Sequence, residues 1–502
     1  MTSFFKKYKW IIVLAIFFNV FLSSWYVLNR DLVFHTDIAR DFLVLEDIVK
    51  THKPTLLGPR SGGIPGVFHG PLWFYVNLPI FILGKGNPVI VGCFWVFLSV
   101  ISIYLTYLLG KKIFNEEVGL LASFLLSVFS ISYIKALINP FGAVLLFPAF
   151  FYLLVTYLKS ARFFYLICLL FILGLIIQFQ IAFGLPILIL LTIYLIPFFI
   201  KKKKITHIFA YFILLIPLST YFLFELRHDF LQTRSIISYI TTKQNVGSLN
   251  LLNIVIQRAR GLLFDGINMI PQNFLLNLPI TILFGILIYN LKDKKFKHRN
   301  TYFLYFFFYF GFWIIALFFK GNIWNHHYLP FLPLTLIIFS SLFNLINKKI
   351  FIIVFLYIFI INFIFGIQSI KSAGTGWKFY ADLAKKIYQD AKGNDFGYYV
   401  YSSDLLGYSE KYSIHYIQKM FKQTISHPYK KEQLTYLIIA PPPEDKKYLN
   451  GDWWKINQVK INRNPDKVFR YSNGMIVEKY LLSQKEMQIP SDPNLVQDLT
   501  FR

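Results

Sequence analysis

Two carboxylates four residues apart, Asp37 and Asp41, lie in His35-Thr-Asp-Ile-Ala-Arg-Asp-Phe42, directly after the first long apolar run. On a helix they share a face, and charge at a membrane boundary is costly unless it is used. The same polar stretch, 29–70, holds Arg40, Arg60 and His69. Two later polar stretches follow: 225–273, with Glu225, Arg227, His228, Arg234, Arg258 and Arg260, and 320–328, with Lys320, Asn322, Asn325, His326, His327 and Tyr328. A carboxylate facing such cations suits a reaction on a phosphate-bearing substrate. The carboxylate takes a proton from a hydroxyl, and the cations hold the phosphate as it departs. Asp37 is the expected base. Arg40, Asp41, Arg60, His69, Arg258, Arg260, His326, His327 and Tyr328 are the expected substrate-binding residues. Each has a plainer alternative: Asp41 as a structural partner, the arginines as surface charge, His69 as the end of a turn. His326 and His327 have no third ligand at a diagnostic spacing, so no metal site is assigned.

The elements that must position these residues are membrane helices. Of 502 residues 56% are apolar and 15% charged, and about ten uncharged runs approach 20 residues, which excludes an ordinary soluble chain. The first run, Ile11 to Leu28, is too long for a signal core and lacks a small-residue cleavage site, so it reads as a retained helix. Further spans are expected at 88–109, 118–134, 140–158, 163–178, 181–200, 205–224, 274–291, 301–319, 328–346 and 350–368. Residues 72–84 are apolar but too short to cross. The net charge of +26 lies largely in short loops such as Lys201–Lys204 and Lys292–Arg299, which reflects a positive-inside bias and not a nucleic-acid partner. The amino terminus and these loops are expected inside. The stretches 29–70, 225–273 and 320–327 and the carboxy-terminal part are expected outside the cytoplasmic membrane. Cys93 and Cys168 fall within apolar runs and suggest neither a metal site nor a disulfide.

Between the first span and the Gly/Pro-rich run 57–71, Asp37 to Lys50 alternates apolar and charged residues at helical spacing, as in an interfacial helix. Beyond Gln368 the chain turns polar. Helices are expected over Trp377–Asp390 and Leu405–Phe421, and strands over Phe396–Ser402, Leu434–Ala440, Trp454–Lys460 and Val468–Lys479. The organisation is therefore an all-α polytopic membrane domain (1–368) of about 11–13 transmembrane helices, an extracytoplasmic α/β domain (369–485) and a loose tail (486–502).

Several motifs in order give the chain a familiar look. Asp37-Ile-Ala-Arg40 follows the first span, and a Gly/Pro loop leads to His69-Gly-Pro-Leu-Trp-Phe-Tyr75. Then come Tyr-Leu-Leu-Gly-Lys-Lys-Ile-Phe114 and, late in the chain, His-His-Tyr-Leu-Pro330. Over roughly residues 1–370 this resembles the GT-C glycosyltransferases, in the branch of protein O-mannosyltransferases and the lipid A aminoarabinose transferase. The resemblance implies an inverting transfer from a polyprenyl-phosphate sugar to a hydroxyl acceptor at the outer membrane face. Asp37 then matches the family's catalytic Asp, and His69-Gly-Pro-Leu matches a stretch bordering the active site. Relatives often carry an acidic residue before a proline in the next external loop. Here Leu137-Ile-Asn139-Pro140 has Asn instead, and a divalent cation is the one cofactor left open. A transporter or flippase of lipid-linked sugars is the alternative, though no internal repeat or charged midplane residue in a broken helix is evident. An envelope scaffold would leave the Asp37 loop without a role.

Overall fold

The computed structural model describes residues 3–61, 63–241, 250–267, 269–270, 274–370, 376–402, 406–448 and 450–495. In chain order its longer helices begin with α1 (Ser3–Ser23), α2 (Thr36–Thr51), α3 (Leu72–Leu83), α4 (Pro88–Ile113), α5 (Glu116–Tyr133) and α6 (Pro140–Ser160). Next come α7 (Phe163–Phe179), α8 (Ile181–Lys201), α9 (Ser219–Arg227), α10 (Leu231–Thr241), α11 (Leu251–Arg260) and α12 (Leu278–Asn290). The last are α13 (Arg299–Ala316), α14 (Leu332–Ser341), α15 (Lys348–Ile370), α16 (Trp377–Ala391) and α17 (Tyr408–Gln418). The chain divides into two compact units. One comprises Met1–Trp25, Pro54–Asn77 and Phe94–Ile370, the other Tyr26–Lys53, Leu78–Cys93 and Lys371–Arg502.

The first unit is helical. Among the described residues six helices are long and apolar enough to cross a bilayer: Pro88–Ile113, Glu116–Ala136, Pro140–Ser160, Ile181–Lys201, Asn325–Asn344 and Lys348–Ile370. Lys9–Ser23, Leu72–Leu83, Phe163–Phe179 and Leu275–Asn290 are apolar but shorter. Along α15, Ile353, Leu356, Ile360 and Ile364 stand exposed, which only a lipid surrounding makes stable. Inside the bundle Phe331 is fully buried, with the rings of Phe147, Phe183 and Phe312 edge-on at 5.3, 5.1 and 5.7 Å. Hydroxyl pairs join α13 to α14, Tyr302 to Ser341 and Tyr305 to Thr335, each at 2.9 Å. Such pairs satisfy polar groups that lipid cannot.

One expected span is not straight. Residues 205–224 form a 3₁₀ segment, Ile205–Leu215, that meets α9 at 67°. Pro217 sits at the break and can neither donate to nor fit an unbroken helix. Its carbonyl accepts from Gln178 Nε2 at 2.7 Å, and Thr220 Oγ1 accepts from the same nitrogen at 2.8 Å. A side-chain amide thus satisfies backbone that the break exposes. The stretch 225–273, expected as a loop, contains α10 and α11.

The second unit is built on a five-stranded sheet of order β2-β1-β3-β5-β4. Its strands are β1 (Phe396–Tyr401), β2 (Ser426–Pro428), β3 (Leu434–Ile439), β4 (Lys467–Arg470) and β5 (Ile476–Leu481). β1 runs parallel to β2 and β3, and β5 antiparallel to β3 and β4. Alternation along β1 sends Tyr398 into one core, with Leu383, Ile387, Ile414 and Ile417 of α16 and α17. It sends Tyr399 into a second core, with Leu437, Trp454, Val459 and Tyr480. Asp390 at the end of α16 bonds Lys467, Lys479 and Tyr436 at 3.0, 2.6 and 2.7 Å, and so ties the helix to three strands.

Sequence periodicity misassigned Trp454–Lys460. Asp452–Trp454 is a helical turn continued by a π-type turn, Lys455–Val459. Trp454 and Val459, five apart, both point inward as that turn requires, and the intervening alternation only imitates a strand. β2 escaped notice because it is three residues ending in proline, as an edge strand can be. Of the expected tail, 496–502 lie outside the described residues. Before them Asp492 N donates to Gln458 O at 2.8 Å and Leu495 is buried. Residues 403–405, the start of the expected helix Leu405–Phe421, also lie outside the described residues, and α17 begins at Tyr408.

Candidate active site

α2 begins at His35, whose extended backbone and side-chain Nδ1 cap the helix by accepting from Asp37 N at 3.2 Å. Asp37 occupies the first turn, where the helix dipole favours a carboxylate. Ile38, Phe42, Leu45 and Ile48 are buried on one face. The opposite edge carries a charge relay. Arg40 Nη1 donates to Asp37 Oδ1 at 2.7 Å, while its Nε and Nη2 donate to Asp41 Oδ1 at 3.0 and 2.7 Å. The side chains of Arg40 and Asp41 are 12% and 8% exposed, against 52% for Asp37. One buried guanidinium, fixed from below by Asp41, therefore holds an open carboxylate from one side. Among the described residues no hydrogen bond engages Asp37 Oδ2.

Burial outweighs the pull of Arg40 and pushes the Asp41 carboxyl up to about 6. Burial also lowers the His35 imidazole, against the opposing field of Asp37, which suits its role as an acceptor. The helix is anchored within the second unit. Phe34 packs on Phe42, Trp377 and Tyr412 with ring centroids at 5.5, 4.9 and 5.7 Å. Ser409 Oγ donates to Phe34 O at 2.8 Å, and Trp377 N to Leu32 O at 2.8 Å. Glu46 takes Lys50 at 3.3 Å and His415 at 3.5 Å. Burial works to raise its carboxyl, but bonding to His415 and Lys50 prevails and lowers it.

The remaining sequence candidates belong to the first unit. His69 is buried in a loop closed by Gly58 N donating to His69 O and His69 N donating to Pro59 O, both at 2.8 Å. A Cβ on Gly58 would overlap the Gly70 carbonyl oxygen, so only glycine permits this closure. His69 Nδ1 accepts from Ile181 N at 3.4 Å, and Gln180 Nε2 donates to His326 O at 3.3 Å. His69 and His326 thus flank one corner, between α7 and α8. Asn139, buried nearby in the same unit, donates Nδ2 to Phe179 O at 2.7 Å. A carboxylate could not make that bond.

Arg258 is 2% exposed, and its guanidinium donates to the carbonyls of Ala316, Phe319 and Gly321 at 3.1, 2.9 and 2.6 Å and also to Gln257 Oε1. Its fork closes the carboxyl end of α13. Arg260 is half-exposed and pairs with Asp265 at 3.1 Å. Arg60 is exposed and bridges its backbone to Phe68. Tyr328 is buried, with Trp313 at 5.5 Å. His327 takes Trp324 N on Nδ1 at 3.2 Å and lines a cavity of about 210 Å³, with Ile64, Val67, Leu185, Phe312 and Phe319 among its walls.

Among the described residues no three His, Cys, Asp or Glu side chains gather where they could hold a metal ion. Arg40 already occupies Asp37 Oδ1, and Asn139 spends its amide as a donor. The described residues offer no set that fits a divalent cation, and no chemical step is routed through one. Gln178 and Gln180 were not among the sequence candidates. Their signal was two amides inside an otherwise apolar stretch.

No family model and no curated protein matches the sequence. The fold, however, is shared. ArnT from Cupriavidus metallidurans bound to undecaprenyl phosphate superposes with a TM-score of 0.57 at 10% identity, covering 94% of this chain and 98% of that one. The Archaeoglobus fulgidus oligosaccharyltransferase in its apo form gives 0.50 at 12% identity, covering 82% and 64%. The same oligosaccharyltransferase in complex with Zn and sulfate gives 0.50 over 95% and 74%. Identity this low establishes architecture alone. That architecture is the GT-C fold: a polytopic helical body followed by a small sheet domain.

Proposed function

We propose that this chain is a membrane glycosyltransferase that moves a sugar from a polyprenyl-phosphate donor to a hydroxyl acceptor at the outer face of the cytoplasmic membrane. The observation that carries the reading is Asp37, open on one side and held on the other by the buried Arg40–Asp41 pair. Asp37 Oδ2 accepts the acceptor's hydroxyl proton while the hydroxyl oxygen bonds the anomeric carbon. The bond from that carbon to the phosphate oxygen breaks, and the lipid phosphate leaves with its electron pair. A phosphate needs no proton to depart, so one carboxylate suffices where glycoside hydrolysis uses two. A single displacement inverts the anomeric centre.

Within the first unit the apolar cavity beside His327 suits a segment of prenyl chain. Of that unit's candidate arginines Arg260 and Arg60 are the more exposed, and a surface pair such as Arg260–Asp265 exchanges at little cost. Arg258, His69, Asn139 and Tyr328 act by positioning. The likeness to ArnT and to oligosaccharyltransferase supports the class, and sugar and acceptor remain to be identified by assay. Purified protein incubated with a panel of undecaprenyl-phosphate sugars and membrane extract as acceptor source is expected to release free lipid phosphate with at least one sugar. Release with none would contradict the proposal. A transporter of lipid-linked sugars is the second reading, favoured by the break at Pro217. Translocation of intact donor into sealed vesicles, without bond cleavage, would support it.

A further inference from the structure

We propose that the carboxy-terminal domain carries its own binding cleft for a neutral saccharide, at the carboxyl ends of β1 and β3. The cavity there measures about 380 Å³, within the range of about 300–1,000 Å³ usual for small-molecule sites. In sheets with parallel strands, the crevice outside the carboxyl ends is where ligands bind. Local sequence builds it deliberately. Gly451 has φ +86, and a Cβ there would come within 2.9 Å of Ile439 and 3.3 Å of Tyr401. Glycine therefore lets the Asp452-Trp453-Trp454 turn close over the strand ends. Tyr429 adopts φ +53, an unusual backbone for a bulky residue, and such outliers cluster at functional sites.

The lining chemistry selects the ligand class. Trp454 is buried with its ring 5.3 Å from that of Tyr401 and forms the floor. Trp453 and Tyr448 stand 66% and 76% exposed at the rim, so their ring faces are accessible to a ligand. The amide side chains of Gln458 and Asn494 face the same space and make no hydrogen bond to described residues. Among the described residues no lining side chain is charged. A pyranose offers a flat face of C–H bonds for aromatic rings and an equatorial edge of hydroxyls for amides. A phosphorylated or carboxylated ligand would meet no charged group in the described lining; Lys411 lies against the Tyr429 ring, 4.5 Å from its centroid.

The proposal does not depend on the transfer reaction, because binding is read without donor. Full-length protein in sugar-free detergent, such as an amine oxide, is titrated by saturation-transfer NMR with neutral gluco-, manno- and galacto-hexaoses. Oligogalacturonate and a six-residue Gly/Ser/Thr peptide serve as controls. At least one neutral series is expected to show ring-proton saturation with a Kd of order 1 mM or tighter. Trp453→Ala is expected to weaken it about tenfold or more, by ~1.4 kcal/mol, with the melting temperature unchanged because Trp453 is exposed. Asn494→Ala provides an independent variant at an exposed position, expected to weaken the same interaction. Asp37→Asn is expected to bind as the wild type does. Absence of neutral binding, preference for the acidic sugar or the peptide, or full affinity in both cleft variants would overturn the proposal.

Discussion

Arg258→Ala separates two roles for the same residue. Sequence reasoning offers Arg258 as a phosphate ligand, whereas its guanidinium is directed to the carbonyls of Ala316, Phe319 and Gly321. Hydrogen bonds from a charged donor contribute about 1.5–3 kcal/mol each, so three amount to about 4–9 kcal/mol before the desolvation of the guanidinium is subtracted. Removing one partner of a buried charged arrangement costs about 3–5 kcal/mol net. In a protein of this size that is an apparent Tm loss of roughly 3–5 °C. Arg258→Lys, which supplies a point charge without the planar fork, should recover only part of it. Thermal unfolding in detergent with and without donor measures the loss, and limited proteolysis around 316–324 checks that this segment loosens. A variant with unchanged Tm and a higher donor KM would refute the positioning role.

Two further predictions concern Asp41 and Asn139. Asp41 has a folded pKa raised from 3.8 to about 6, so the native state binds more protons than the unfolded between those values. Stability from this group is full below 3.8 and declines as pH rises to about 6, by at most about 3 kcal/mol. Asp41→Asn lacks this dependence, so its Tm relative to wild type should rise between pH 4 and pH 6.5; a pH-independent difference would contradict the assignment. Asn139→Asp sets a carboxylate against the Phe179 carbonyl and is expected to lose about 1–3 kcal/mol or more in thermal unfolding. It should confer no divalent-cation dependence on lipid phosphate release. A stable, cation-activated variant would show the opposite.

The helical body was legible because apolar runs of span length leave little choice, and α2 because its apolar residues recur at helical spacing. The bend at Pro217 was not, since hydropathy averages over a proline that a distant Gln178 accommodates. The helical turn over 452–459 was hidden by an alternation with the period of a strand. At the site, residue type pointed to Asp37, but partners decided the rest. Arg40 lies between two carboxylates, while Arg258 is occupied by carbonyls more than fifty residues away. Composition offers both as phosphate ligands, because the distant acceptors of Arg258 are backbone atoms and leave no trace in the sequence. The cleft of the carboxy-terminal domain was invisible for a similar reason: Tyr401, Tyr429, Trp453 and Asn494 meet only when the sheet forms.

The most direct test of the central claim replaces Asp37 by Asn and by Glu in the purified protein and follows release of polyprenyl phosphate from the active lipid-linked sugar. Asn keeps the shape and a bond to Arg40 but cannot take the acceptor proton; Glu keeps the base but displaces it. Release is expected to fall at least about 10²-fold in Asp37→Asn, with Tm and donor binding retained, and to persist weakly in Asp37→Glu. Wild-type release by Asp37→Asn would contradict the account.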